Sequence, residues 1–324
     1  MFIAVSKLNR IQSVDIFRLL AIIAVISLHT LPFVSINYNW KISVFINQAA
    51  RFAVPFFFVI TGYFWGVKIR RGENPILSAV KSSRRISLAL LFWCVIYLVS
   101  FGSLVSSFSE LGFIGPVKDT YRHIVSLTQD PLTLAFRGTQ GHLWFLISII
   151  ISITISSFFI YKKWIKRLIL ISIVLYVFGV FSKSYIDTPL GIDLDFNSRN
   201  GPFFSTLLFV TGYLLSGFKT NTKWLFYGCI IFILGSISHF SEIIILAKLY
   251  GTSLSQDYVF GILLIGVGIA VASLSNHPLL QSNFLGKSGQ MTLGIYAYHV
   301  IFVSLLSEID KNTDSIAWEI GYVL

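Results

Sequence analysis

Long apolar runs separated by short polar breaks dominate the chain. They lie near 16–34, 43–66, 86–105, 143–160, 168–182, 202–218, 224–238, 258–274 and 292–307. Most reach or approach the roughly 18 residues that, as a helix, cross about 30 Å of hydrocarbon. The pattern predicts an all-α fold: a polytopic transmembrane helix bundle of about nine full spans. A tenth run opens near Ile316 and stops at Leu324. Nine helical residues cover only about 13 Å, so this span is expected to be short or truncated. The first run is expected to be retained: it is long, it carries Arg18 and His29, and no small-residue cleavage site follows it. Residues 1–324 read as one integral membrane domain.

Composition supports the same class. Of 324 residues, 55% are hydrophobic, 12% are charged and 30 are Phe, and the mean hydropathy is +0.77. A soluble domain of this length could not hide that much apolar surface. A net charge of +11 points to nucleic acid until the charges are sorted by loop. With the N-terminus inside and the spans alternating, 15 of the 25 basic residues fall in cytoplasmic segments. All acidic residues except Asp15 and Glu73 fall outside. This is the positive-inside pattern, so the basicity is topological and no nucleic-acid partner is expected. Cys94 and Cys229 both lie in predicted spans, with no disulfide framework or metal-ligand spacing. The longest outer loop, about Ser106 to Gly141, contains Pro116 and Pro131 and is expected to form short surface helices or a cap.

Polar residues at membrane depth are the candidates for chemistry. In RLLAIIAVISLH, Arg18 and His29 stand eleven positions apart. Eleven helical residues turn about 20° past three full turns, which puts both on one face about 16 Å apart. Either residue alone has an ordinary explanation. Arg18 can snorkel to inner-leaflet phosphates, and His29 can be a hydrogen-bonded packing residue. Together they predict that this face lines a polar cavity. Arg51 in RFAVPFFFVITGY, His142 and Trp144 in GHLWFL, and Arg199 and Asn200 in RNGPFF join His29 on the outer half. Trp144 also suits an aromatic belt. His299, mid-span in GIYAYH, reads as a packing residue.

RFAVPFFFVITGY (51–63) and RNGPFFSTLLFVTGY (199–213) share an Arg, Pro-Phe-Phe and Thr-Gly-Tyr. If this is a parallel repeat, a functional site is expected at the interface between its halves. Gly62 and Gly212 permit close helix packing.

VDIFRLLAIIAVISLHT resembles the first-span signature of the acyltransferase family 3 membrane proteins. The likeness continues in order through PFFFVITGYF, GHLWFL, RNGPFF and GIYAYH, and is closest to the bacterial O-acetyltransferases that modify surface polysaccharides and their precursors. The resemblance implies ten spans with both termini inside, a pattern from which this chain departs at the tenth. It also implies an O-acyltransferase of the bacterial cytoplasmic (inner) membrane. Such an enzyme moves an acyl group, usually acetyl, from cytoplasmic acetyl-CoA to a hydroxyl of a glycan or lipid-linked glycan beyond the membrane. No permanently bound cofactor and no metal are expected. In that reading Arg18 binds the coenzyme phosphates, and the pantetheine arm threads along the Arg18–His29 face. His29 acts as general base or as nucleophile. Arg51, Arg199 and Asn200 stabilise the oxyanion or hold the acceptor, and His142 and Trp144 position the sugar.

An exporter or flippase for a polysaccharide or lipid intermediate would also need polar groups in a bundle of many spans. Transport would survive loss of acyl-CoA binding, whereas acyl transfer would not. A polysaccharide polymerase is disfavoured by the modest outer loops, and a scaffold would not explain two ionisable residues on one helix face.

Overall fold

The computed structural model describes residues 11–30, 40–281 and 292–310. The tenth run from Ile316, residues 31–34 of the first run, and the charges at Lys7, Arg10, Lys287 and Lys311 lie outside the described residues. Among the described residues the fold is helical, without strands. The long helices are α1 (Gln12–Thr30), α3 (Ala53–Arg70), α4 (Pro75–Ile96), α8 (Trp144–Tyr161), α9 (Ile165–Phe181), α10 (Pro202–Leu215), α11 (Lys223–Tyr250), α12 (Phe260–Ser273) and α13 (Thr292–Asp310). A shorter α2 (Trp40–Ala49) runs into α3, and α5 (Leu104–Leu111), α6 (Ile114–Gln129) and α7 (Pro131–Arg137) form the long loop.

Among the described residues, five helical stretches are long and apolar enough to cross a membrane: 12–30, 41–70, 75–111, 141–161 and 223–250. Shorter apolar helices cover 202–215, 260–273 and 294–307. Two boundaries differ from the apolar runs for a physical reason. α4 starts at Pro75 rather than near residue 86, because Lys81, Arg84 and Arg85 end the apolar run without breaking the helix. Its start is set by Asn74, whose side chain accepts from the amides of Ile76 and Leu77, with Pro75 in the first turn. α11 continues to Tyr250 rather than stopping near 238. His239 and Glu242 interrupt the run, but His239 is fully buried and Glu242 accepts from the amides of Phe260 and Gly261 at the start of α12.

α10 packs against α3, α8 and α9, α11 lies along α12, and α1 meets α3, α12 and α13. The closest seam is α3 against α10. A Cβ on Gly62 would collide with the Phe209 carbonyl, and a Cβ on Gly212 would collide with the Val59 carbonyl. Gly62 and Gly212 are 150 positions apart, as are Val59 and Phe209. The two halves of the sequence repeat thus meet across a pseudo-twofold axis through reciprocal contacts. The C-terminal end of α1 and the N-terminal ends of α3, α8, α10 and α12 converge at one end of the bundle, around a cavity of about 590 Å³.

Candidate active site

Each wall of this cavity has a local structural cause. Arg51 lies in a 3-10 turn, Ala50–Phe52, which joins α2 to α3. Pro55 has no N–H, and its ring excludes the carbonyl four residues earlier, that of Arg51, so the regular α-helical bond is lost there. Arg51 therefore sits in a 3-10 turn within the continuous helical stretch 41–70. His142 occupies a second 3-10 turn, Gly141–Leu143, leading into Trp144 at the start of α8. Arg199 and Asn200 precede Gly201, whose φ of 80° favours glycine, and Pro202 opens α10. The Gly201 amide donates to Ser148 Oγ at 3.0 Å, which ties this turn to α8.

The structure places His29, Arg51, His142, Trp144, Arg199 and Asn200 around one cavity. His29 is exposed to it from the last turn of α1. The His29 ring lies 6.4 Å from His142 and 5.1 Å from His299, and His142 is 5.4 Å from His299, centroid to centroid. His299, which the sequence left as a packing residue, thus completes a three-histidine cluster. Its Nδ1 lies 2.7 Å from the Tyr296 carbonyl, so Nδ1 donates and Nε2 is left as an acceptor. Nε2 of His299 and both ring nitrogens of His142 are buried without a hydrogen-bond partner among the described residues. Tyr296 Oη donates to the His142 carbonyl and holds that turn from α13. Among the described residues, no group of three His, Cys, Asp or Glu is placed to hold one metal ion.

Arg199 is stacked over the Trp144 indole at 4.8 Å and paired with Asp257 Oδ2 at 2.5 Å. Cation–π contact and ion pairing fix the plane of its guanidinium. Asp257 comes from the 251–259 loop between α11 and α12. Burial works to raise its pKa, but the Arg199 and Arg51 guanidiniums, with Lys183, hold the carboxyl below the usual carboxylate range. Asn200 is buried and its Oδ1 has no partner among the described residues. Asp130, Thr133 and Arg137 of the α7 segment also line the cavity.

Sequence reasoning missed Asp257, because an acid in the polar loop SLSQDY does not stand out. The available signal was Arg199, a buried cation that requires a countercharge.

The structure does not bring Arg18 to this group. It lies toward the other end of α1, paired with Asp15 at 2.9 Å and stacked over the Phe64 ring at 5.3 Å. Ile22 and Val25, on the same helix face between Arg18 and His29, are buried. The face expected to be polar from end to end is therefore polar at its two ends and packed with aliphatic side chains between them.

A helical membrane protein with a histidine- and arginine-lined cavity at one end of the bundle is the class these features define. The chain belongs to the acyltransferase domain family, whose profile matches residues 11–324. Among curated proteins it is 26% identical over 319 residues to an amino-acid racemase of Enterococcus faecalis, which covers 94% of this chain and 42% of that protein. A second amino-acid racemase of that organism is 25% identical over 223 residues, 65% of this chain and 29% of the relative. A serine/alanine racemase of Enterococcus gallinarum is 27% identical over 220 residues, 63% of this chain and 29% of the relative. The chain spans less than half the length of each of these relatives. No solved structure matches it.

Proposed function

We propose that the chain transfers an acyl group, acetyl in the simplest case, from cytoplasmic acyl-CoA to a hydroxyl of an envelope glycan or its lipid-linked precursor. The site is the inner membrane of a bacterium, with the N-terminus inside. Acyl transfer is the activity the family name carries; the donor, acceptor and sidedness are proposed. The observation that supports them is the division of α1. His29 opens into a polar cavity among Arg51, His142, Trp144 and Arg199, while Arg18 stands at the opposite end of the same helix. Coenzyme A is anionic and does not cross a bilayer, so a donor on one side and an acceptor on the other need polar stations at both ends. The racemase names belong to proteins that extend well beyond the matched region, and racemisation is not part of this proposal.

Two routes use these residues. With His29 as base, the acceptor hydroxyl gives its proton to the imidazole as its oxygen attacks the thioester carbonyl. The C–S bond breaks, and the leaving thiolate takes the proton back. With His29 as nucleophile, an acyl-imidazole forms with release of the thiol, and the hydroxyl then takes the acyl group. Arg51 serves in either route to stabilise the oxyanion or to hold the acceptor. Arg199, held by Asp257 and Trp144, shapes the wall against which the acceptor lies. Rapid acid quench with labelled acetyl-CoA separates the routes, since only the second leaves label on the protein.

The direct test is mass spectrometry of surface glycans from cells carrying the intact gene, an empty vector or the His29→Ala form. One acyl group per repeat unit is expected with the intact gene alone. Loss of a general base costs roughly 10²–10⁴ in rate, so the variant should insert normally and give little product. Full modification by His29→Ala would overturn the chemistry. In the exporter alternative, glycan movement survives Arg18→Ala, whereas acyl transfer weakens in donor dependence.

A further inference from the structure

The cavity carries three guanidiniums, Arg51, Arg137 and Arg199, against two carboxylates, Asp130 and Asp257. The charges do not pair off evenly. Asp257 is bound to Arg199. Asp130 caps α7, accepting from the Thr133 amide at 2.9 Å, and among the described residues it forms no ion pair with Arg137. That leaves Arg51 and Arg137 to be explained.

Arg51 shares the Asp257 carboxylate with Arg199, so two guanidiniums face one carboxylate on this side of the cavity. A terminal nitrogen of Arg51 donates to Asn47 Oδ1 at 2.8 Å, and the same oxygen accepts from Gln48 Nε2 at 3.0 Å. Gln48 Oε1 in turn lies 3.0 Å from His239 Nε2 on α11. These bonds fix the direction of the relay. His239 donates to Gln48 through Nε2–H, while its Nδ1 is buried with no partner among the described residues. Asn47, Gln48 and His239 are all buried. Three neutral groups thus orient Arg51, its Nε is buried and unpartnered among the described residues, and the carboxylate near it is already bound to Arg199. Arg137, the last residue of α7, makes no hydrogen bond or ion pair among the described residues, and its Nε is also buried and unpartnered. With Asp257 facing Arg199 and Arg51 and Asp130 facing Arg137, the three guanidiniums still outnumber the two carboxylates, and their planar forks match phosphate and carboxylate oxygens two at a time.

We infer that the acceptor is anionic. It is a glycan bearing a phosphate, diphosphate or carboxylate group that neutralises Arg51 and Arg137 while its hydroxyl reaches His29. The word acceptor rests on the acyl-transfer reading; the anion site itself does not. A cavity of about 590 Å³ is within the range of sites that take small ligands, roughly 300–1,000 Å³.

The test is binding to the full chain in phosphatidylcholine nanodiscs, followed by calorimetry and thermal shift, so that no anionic lipid competes. The probes are inorganic diphosphate, glucuronate and glucose. Diphosphate or glucuronate should bind at least tenfold tighter than glucose, and which of the two binds identifies the anionic group. Arg51→Gln and Arg137→Gln should each weaken that binding about tenfold. Arg70→Gln, on the far end of α3 where it bonds Ser216, should leave it unchanged. Arg137 lies on a surface helix, so its variant remains informative if Arg51→Gln misfolds. Glucose binding as tightly as the anions, or undiminished binding in Arg137→Gln, overturns the inference. Anion binding that survives in a chain unable to transfer acyl groups upholds the site and sinks the acyl-transfer reading instead.

Discussion

Arg199 stands at the entrance to α10 with a countercharge 58 positions further on, at Asp257. Removing one partner of a largely desolvated pair leaves the other charge uncompensated, at a cost of about 3 kcal/mol. Asp257→Asn should therefore lower the thermal midpoint at neutral pH. The pH dependence has a definite sign. The Asp257 carboxyl is held below its ordinary value in the folded chain, near 3.9 when unfolded, so its contribution is complete above that range and is lost as pH falls through the folded value. Thermal midpoints of wild type and Asp257→Asn between pH 7 and pH 3 should converge on acidification. A constant gap would show that the carboxylate charge is not what stabilises the pair. His29 and Arg51 were legible because a polar residue interrupting an apolar run is conspicuous and costly, and His142, Arg199 and Asn200 because they stand at the very start of apolar runs, in GHLWFL and RNGPFF. Asp257 and Arg137 were not, because their loops are polar anyway. His299 was visible, but its role depends on a ring 5.1 Å away on another helix, which no spacing along the chain encodes.

Between α3 and α10 the sequence repeat becomes a physical seam. Gly62 and Gly212 admit the partner backbone so closely that any side chain must push the helices apart. Gly212→Ala should cost about 1–3 kcal/mol despite the better helix propensity of alanine. Gly294→Ala, on α13 with open space around the position, should be neutral or slightly stabilising. Thermal unfolding in detergent compares the two, and a harmless Gly212→Ala would refute the close seam. Arg51 and Arg199 sit at the cavity ends of these two helices, so widening the seam should also reduce activity. At this scale the apolar runs located most of the long helices. They failed at α4 and α11 because hydropathy marks where a membrane can be, whereas Lys81, Arg84, Arg85 and Glu242 are all compatible with continued helix. The 3-10 turns that present Arg51 and His142 are local backbone features that hydropathy does not report.

Across the whole molecule, the separation of Arg18 from His29 sets the functional problem. If the donor approaches from the Arg18 end, its acyl group must pass the stretch of α1 where Ile22 and Val25 are packed. Val25 lines the cavity and Ile22 does not, and Ile22 is buried about one turn nearer Arg18 on the same helix face. On that route, acyl delivery requires Ile22 to move. Enlarging this one side chain should obstruct delivery while leaving both ends intact. Ile22→Trp should lower transfer more than tenfold in proteoliposomes supplied with acetyl-CoA on the Arg18 side. Because overpacking costs about 1–3 kcal/mol, a lower thermal midpoint is expected, and diphosphate binding close to wild type is the control that the chamber keeps its shape. Arg18→Gln gives the complementary result: a raised KM for acetyl-CoA with the acceptor KM unchanged. If Ile22→Trp transfers at the wild-type rate, the acyl group does not travel along this face of α1. The shared face of Arg18 and His29 is then a feature of helix packing, not a route.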